Sequence, residues 1–160
     1  MPKRLRLLII GAGDIAERAL PQLVAAFEVL ALVRTPERAA QLSGFGISTL
    51  SGDLDRPESL GVLEMAQLPD CILHCAPPPA TPPSATRDDR MRNLLAALDN
   101  ATRKARGMVT RRVVYVSTSG VYGDCGGARI DESQPLRPGT GRAQRRVDAE
   151  RLLSEWCAAG

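Results

Sequence analysis

The residues best suited to chemistry near the start of the chain are Gly11, Gly13 and Ala16. They are spaced Gly-x-Gly-x-x-Ala directly after the mostly apolar run Leu5-Arg6-Leu7-Leu8-Ile9-Ile10. Gly11 can take turn dihedrals that a Cβ forbids, Gly13 lets an anion approach the backbone, and the small Ala16 lets a helix pack closely on its strand. The unpaired amides and the dipole at that helix N-terminus favour a phosphate group. Ala19, Leu20 and Leu23 supply the helical pattern. The spacing therefore predicts a dinucleotide site, with a pyrophosphate over Gly11, Gly13, Asp14 and Ile15. Asp14 serves the first helical turn electrostatically and also brings a negative charge near that pyrophosphate.

Arg34 is the next informative residue. It follows the apolar run Val29-Leu30-Ala31-Leu32-Val33, a strand of the kind buried on both faces of a parallel sheet. In a dinucleotide fold the residue at this place meets the adenosine ribose, and an acid there would accept a bond from the free 2′-hydroxyl. Arginine cannot accept that bond but can clamp a 2′-phosphate, with Arg38 one turn on as a second clamp. The alternative is an exposed strand end. On this position NADP is the expected cofactor, with NAD as the alternative. Thr35 reads as the N-cap and Pro36 as the first residue of a helix reaching about Leu42.

The elements that must position these residues alternate along the chain. Strands are predicted at residues 5–10, 29–33, 46–50, 71–75 and 113–116, and helices at about 13–26, 36–42, 57–66, 88–106 and 141–156. Pro21 falls inside the first helix, where its missing N–H and its ring should bend it. Asp53, in Ser51-Gly52-Asp53-Leu54, reads as an adenine contact or as a turn and capping residue. Ala76-Pro77-Pro78-Pro79-Ala80-Thr81-Pro82-Pro83 is a stiff extended loop after the fourth strand. Met91, Leu94, Leu95 and Leu98 share one face of the fourth helix. These β–α units predict an α/β fold, a doubly wound parallel sheet of five strands in the order 3-2-1-4-5, with ligand at the carboxyl ends.

Composition limits the partners. The chain has 160 residues, 44% of them hydrophobic and 24% charged, with 21 basic and 18 acidic side chains giving a net charge of +3. That is one domain with a sound core, and too little positive charge for a nucleic-acid surface. Arg111-Arg112 and Arg145-Arg146 read as solvated faces or anion contacts. No apolar run is long enough to cross a membrane, and the N-terminus enters a strand without a signal-peptide pattern, so cytoplasm is the expected location. Cys71 and Cys75 share a strand face roughly 13 Å apart, too far for a disulfide or a shared metal. His74, the single histidine, points to the opposite face. With no C-x-x-C and no second histidine, no metal site is expected.

Gly11-x-Gly-x-x-Ala16, Asp53-Leu54, His74-Cys75-Ala76-Pro77 and above all Ser117-Thr118-Ser119-Gly120-Val121-Tyr122-Gly123 resemble the extended short-chain dehydrogenase/reductases, which include nucleotide-sugar epimerases and dehydratases. Asp131-Glu132, Pro135 and Pro138 continue the pattern, and the resemblance covers nearly the whole chain. It implies a Rossmann fold and cofactor contacts from Gly11, Gly13, Asp14, Ile15, Arg34, Thr35, Arg38, Asp53, Leu54, Ala76 and Pro77. It also implies that the Thr118 hydroxyl bonds a substrate carbonyl or alcohol; the alternative is a polar strand-end residue.

Two departures accompany the resemblance. The family places a Tyr-x-x-x-Lys pair on the following helix, and anchoring on Glu150 puts Arg142 and Arg146 at those positions. At i, i+4 both occupy one helix face, from which Arg146 could reach a ribose or phosphate. Arginine, with a pKa above ~12, is a poor proton shuttle near neutral pH. Extended members also continue into a substrate domain, whereas this chain stops at Gly160. The resemblance thus implies the NAD(P)-binding portion of an epimerase, dehydratase or reductase acting on a nucleotide sugar or related small carbonyl or alcohol. The alternative is a non-catalytic NADP-binding or sensing module, with a phosphate binder reusing the fold as a third reading. A homodimer is expected, through the fourth and last helices (Leu94, Leu95, Leu98, Val147, Leu152 and Leu153) or through the edge formed by Val113, Val114 and Val116, with the helices preferred because Arg111-Arg112 guards the edge.

Overall fold

A computed structural model describes residues 4–65, 67–79, 86–105, 110 and 112–159. The strands are β1 (Arg6–Ile10), β2 (Glu28–Val33), β3 (Ser48–Ser51), β4 (Cys71–His74) and β5 (Arg112–Tyr115). All neighbours pair in parallel, in the order β3-β2-β1-β4-β5, as the alternation of elements predicts. The helices are α1 (Asp14–Ala26), α2 (Pro36–Ser43), α3 (Val62–Met65), α4 (Asp89–Lys104) and α5 (Gly141–Ala159). Residues 80–83 of the proline loop, Ala66 and Arg106 at predicted helix ends, and Arg111 lie outside the described residues.

Strand β1 shows why the sheet is covered on both sides. Leu8 and Ile10 are buried in one cluster with Ile72, Met91, Leu94 and Leu98, under α4 and α5. Leu7 and Ile9 enter a second cluster with Ala16, Leu20, Val29, Ala31 and Leu42, under α1 and α2. Successive side chains leave a strand on opposite faces, so an uninterrupted apolar run needs two covers.

Local chemistry explains the helix ends. The Thr35 side chain accepts the Arg38 backbone N–H with Pro36 in the first turn, and the Asp88 carboxylate accepts that of Met91 at 3.0 Å. Pro21 lies within the continuous helix α1. The helix expected over 57–66 opens as a 3₁₀ turn, Pro57–Gly61, before the short α3. A second 3₁₀ turn, Ser119–Tyr122, has no counterpart among the elements expected from sequence.

Three expectations about surfaces are corrected. Leu94, Leu95 and Leu98 are at most 7% exposed, because α4 lies directly on the sheet and turns its apolar face inward. Arg145 and Arg146, read as solvated or anion-facing, are 8% and 6% exposed, and Arg146 is turned onto Tyr115 and Val116 at the end of β5. The edge is corrected as well: the Val116 N–H donates inward to His74 O at 2.9 Å. By strand alternation the backbone groups of Val114 share that direction, and those of Val113 and Tyr115 face outward.

Candidate functional site

The β1–α1 turn is shaped by close approach. Gly11 has φ +82°, and a Cβ on it would lie 2.6 Å from Ala76 Cα, so this turn and the chain leaving β4 meet backbone to backbone. Gly13 behaves differently, since a Cβ there would meet nothing within 4 Å. It is the N-cap of α1, in extended conformation, and no side chain caps the helix. The first amides of α1 therefore face open space without an intrahelical partner. Asp14 is turned aside, pairing through both oxygens with Arg18 at 3.0 and 3.1 Å.

Above the carboxyl ends of β1 to β4 lies a cleft of about 380 Å³. Gly11, Gly13, Arg34, Thr35, Arg38, Asp53, Leu54, Ala76 and Pro77 all line it. Sequence reasoning missed Arg90, which enters the lining from α4, and Cys75, whose thiol is pushed up by burial. Asp14 and Ile15 stand beside this lining at the start of α1, where the Ile15 side chain is 56% exposed.

The polar groups of the cleft are mostly committed. Arg38 donates from Nε to Ala12 O at 3.0 Å and from Nη1 to Glu17 at 2.6 Å. Arg90 donates from Nε and Nη2 to the Asp55 carboxylate at 2.8 and 2.5 Å, and from Nη1 to Pro77 O at 2.9 Å. These bonds hold the Asp55 carboxyl below its ordinary range. Asp53 has a turn role, its Oδ1 accepting the Asp55 N–H at 3.0 Å, while it also lines the cleft. Arg34 is exposed at the mouth, and its charge acts on Asp55. An uncapped helix end, a glycine under open space and an arginine at the end of β2 fit a dinucleotide.

Thr118, Arg142 and Arg146 lie apart from this cleft. Thr118 is exposed and caps the turn Ser119–Tyr122, its Oγ1 accepting the Gly120 N–H at 3.3 Å. Arg142, in the first turn of α5, is exposed. Arg146, one turn later, donates from Nη1 to Tyr115 Oη at 2.8 Å and to Val116 O at 2.7 Å, with its guanidinium 5.3 Å from the Tyr115 ring centre. Of the two arginines, Arg142 is thus exposed and Arg146 is turned inward onto Tyr115 and Val116. The Tyr115 phenol is pushed up to about 12 by burial. His74 packs edge-on against Tyr115 with ring centres 5.2 Å apart. Among the described residues no group of three His, Cys, Asp or Glu could hold a metal ion, and no helix is long and apolar enough to cross a membrane.

Comparison with known proteins agrees with this geometry. Residues 11–155 match the model of a family described as NAD(P)H-binding. The chain is 31% identical over 147 residues to a 4-hydroxy-2-methyl-3-oxo-4-farnesyl-3,4-dihydroquinoline-1-oxide ketoreductase from Stigmatella aurantiaca, a match covering 89% of this chain and 43% of that protein. The UDP-glucose 4-epimerase of Thermus thermophilus, solved with NAD, superposes with a TM-score of 0.74 at 24% identity, over 97% of this chain and 51% of the other. Bordetella bronchiseptica WbmG, also solved with NAD, gives 0.74 at 19% identity, over 96% and 50%. The chain thus spans about half the length of these solved proteins, and their likeness is one of fold. With the family model matched from the glycine turn into α5, the chain belongs to the NAD(P)H-binding family and is an NAD(P)-binding Rossmann domain.

Proposed function

We propose that the chain is the cofactor-binding part of an NADP-preferring reductase or epimerase whose substrate is a nucleotide sugar or a related small carbonyl or alcohol. The observation that carries the binding reading is the uncapped N-terminus of α1, with Gly13 open to the cleft beside it. Gly11, Gly13, Asp14 and Ile15 would hold the pyrophosphate, Arg34 and Thr35 the adenosine phosphate end, and Asp53, Leu54, Ala76 and Pro77 the adenine and its ribose. When bound, the nicotinamide supplies or accepts a hydride. The residues of this chain bind and orient it. The ketoreductase relative and the epimerase neighbours support the two reaction classes.

A second reading, a non-catalytic NADP-binding or sensing module, is favoured by Arg142 and Arg146 standing where a tyrosine–lysine pair would stand. Arg146 is spent on Tyr115 and Val116, and the Tyr115 phenol is too weak an acid for exchange near neutral pH. Thr118 remains the hydroxyl for a substrate oxygen in the catalytic reading.

Calorimetric titration with NADPH and NADH tests the site. Gly13→Val should abolish binding of both without loss of fold, because its side chain would enter open space. Normal binding by this variant removes the assignment. Arg34→Asp should lower NADPH affinity by about 10- to 100-fold and leave NADH equal or improved, the worth of a charge-assisted contact. Equal weakening of both would make Arg34 structural. Robust oxidation or epimerisation of nucleotide sugars by the 160-residue chain would discard the non-catalytic reading. For assembly we propose a homodimer; Leu94, Leu95 and Leu98 are buried, which leaves the β5 edge and the half-buried Val147, Leu152 and Leu153 as its surfaces, and the edge is the one preferred.

A further inference from the structure

The guanidinium of Arg38 lines the cleft, yet the chain itself takes most of its hydrogen bonds. Nε and Nη2 both donate to the carbonyl oxygen of Ala12, and Nη1 donates to Glu17 Oε1 at 2.6 Å and Gln41 Oε1 at 2.9 Å. Of the roughly five N–H bonds a guanidinium offers, this leaves one Nη2 proton. The oxygen it grips belongs to the residue between the two glycines of the turn. The other polar end of the same peptide plane is also held, because the Gly13 N–H donates to Gly11 O at 2.9 Å. The Ala12–Gly13 peptide is thus fixed from both sides. Its carbonyl, which would repel an anion, is turned toward a cation on α2, and the free amides at the start of α1 are left to the cleft. The backbone of Arg38 is itself fixed, since Thr35 Oγ1 accepts its N–H at 3.3 Å.

We propose that Arg38 is the buckle of the glycine turn, a positioning residue for the pyrophosphate of either cofactor, and that it is not a ligand of the 2′-phosphate. The proposal rests on the dinucleotide reading above and separates two arginines that the sequence treats as a pair. Arg34 discriminates between cofactors. Arg38 serves both alike.

The test titrates the unsubstituted chain, Arg38→Gln, Arg38→Lys and Arg34→Gln with NADPH and NADH. Arg38→Gln should weaken both cofactors by a common factor of about ten, leaving their affinity ratio unchanged, and Arg34→Gln should shift that ratio toward NADH. Arg38→Lys keeps the charge but loses the two-pronged grip on Ala12, so it too should weaken both; it also carries the test if Arg38→Gln folds poorly. In the ligand-free protein the Gly13 amide resonance should move in both Arg38 variants while the melting temperature stays within a few degrees. A variant that loses NADPH affinity alone, or keeps both affinities, overturns the buckle. Failure of the underlying reading is distinguishable, because the unsubstituted chain would then bind neither cofactor.

Discussion

His74 is 2% exposed, and among the described residues neither ring nitrogen has a hydrogen-bond partner. Burial pushes its pKa down to about 4 from 6.5, and the charges of Arg146 on α5 and Arg90 on α4 act in the same direction. Between these values the unfolded chain binds a proton that the folded chain refuses. Stability therefore rises with pH across this window, is complete above about 6.5, and is lost as pH falls toward 4. The loss at the acid end amounts to about 3 kcal/mol. Asp88, whose carboxyl burial raises, contributes with the opposite sign above its unfolded value, so the comparison must be made with a variant. His74→Phe keeps the edge-on packing against Tyr115 without the proton. Urea unfolding near neutral pH and again at about pH 4.5 should show the parent losing about 2–3 kcal/mol more than His74→Phe. Equal losses would mean that the imidazole is hydrated. The sequence places this ring on the face opposite Cys75, as found, but its titration depends on cover by α5 and Tyr115, which no local pattern encodes.

The walls of the cleft are joined by a contact between distant elements. Arg90 on α4 holds Asp55, beyond β3 and 35 residues away in sequence, and also the Pro77 carbonyl beyond β4. Asn93, one turn later, donates to Leu54 O at 2.8 Å. Helix α4 thereby sets the separation of the two loops that flank this side of the cleft. Arg90→Met should weaken NADPH, NADH and ADP together by several-fold. With Asp55 42% exposed at its side chain, a double-mutant cycle with Asp55→Asn should give a stability coupling of only about 1 kcal/mol after solvent screening. That coupling is present above the ordinary Asp value near 3.8 and fades below it, because Arg90 holds the carboxyl down. Additive single variants at neutral pH would dissolve the clasp. Strand order and helix placement were legible because alternating apolar runs and right-handed crossovers constrain them locally. Arg90 was not, since an arginine on an amphipathic helix reads as solvent-facing until the fold brings Asp55 to it. The same limit applies to Arg145 and Arg146, whose burial depends on where α5 lands.

The way the whole molecule meets a second copy follows from what its own core leaves uncovered. Helix α4 spends Leu94, Leu95 and Leu98 on the sheet, and the outer face of α5 carries the ion pairs of Arg151 with Asp148 and Glu155 at 3.0 and 2.6 Å. Of the helical residues expected at a dimer surface, α4 has buried its three, and Val147, Leu152 and Leu153 of α5 remain half-buried. Strand β5 ends the sheet, with outward backbone groups at Val113 and Tyr115 and the Val114 side chain 48% exposed. An open groove beside it is lined by Val113, Tyr115, Leu153 and Cys157 together with the polar Ser117, Glu150 and Ser154. An unpaired edge is a template for pairing and a charge on it is the usual guard; the exposed Arg112 guards one end of β5, while Val114 leaves its middle apolar. The edge is also short, four residues, so pairing should be weak and concentration-dependent. The 160-residue chain should therefore approach dimer mass in light scattering as its concentration rises, and Val114→Lys should hold it at monomer mass with melting temperature unchanged. A parent that stays monomeric at high concentration would remove the dimer. A Val114→Lys variant that dimerises as the parent does would move the interface elsewhere.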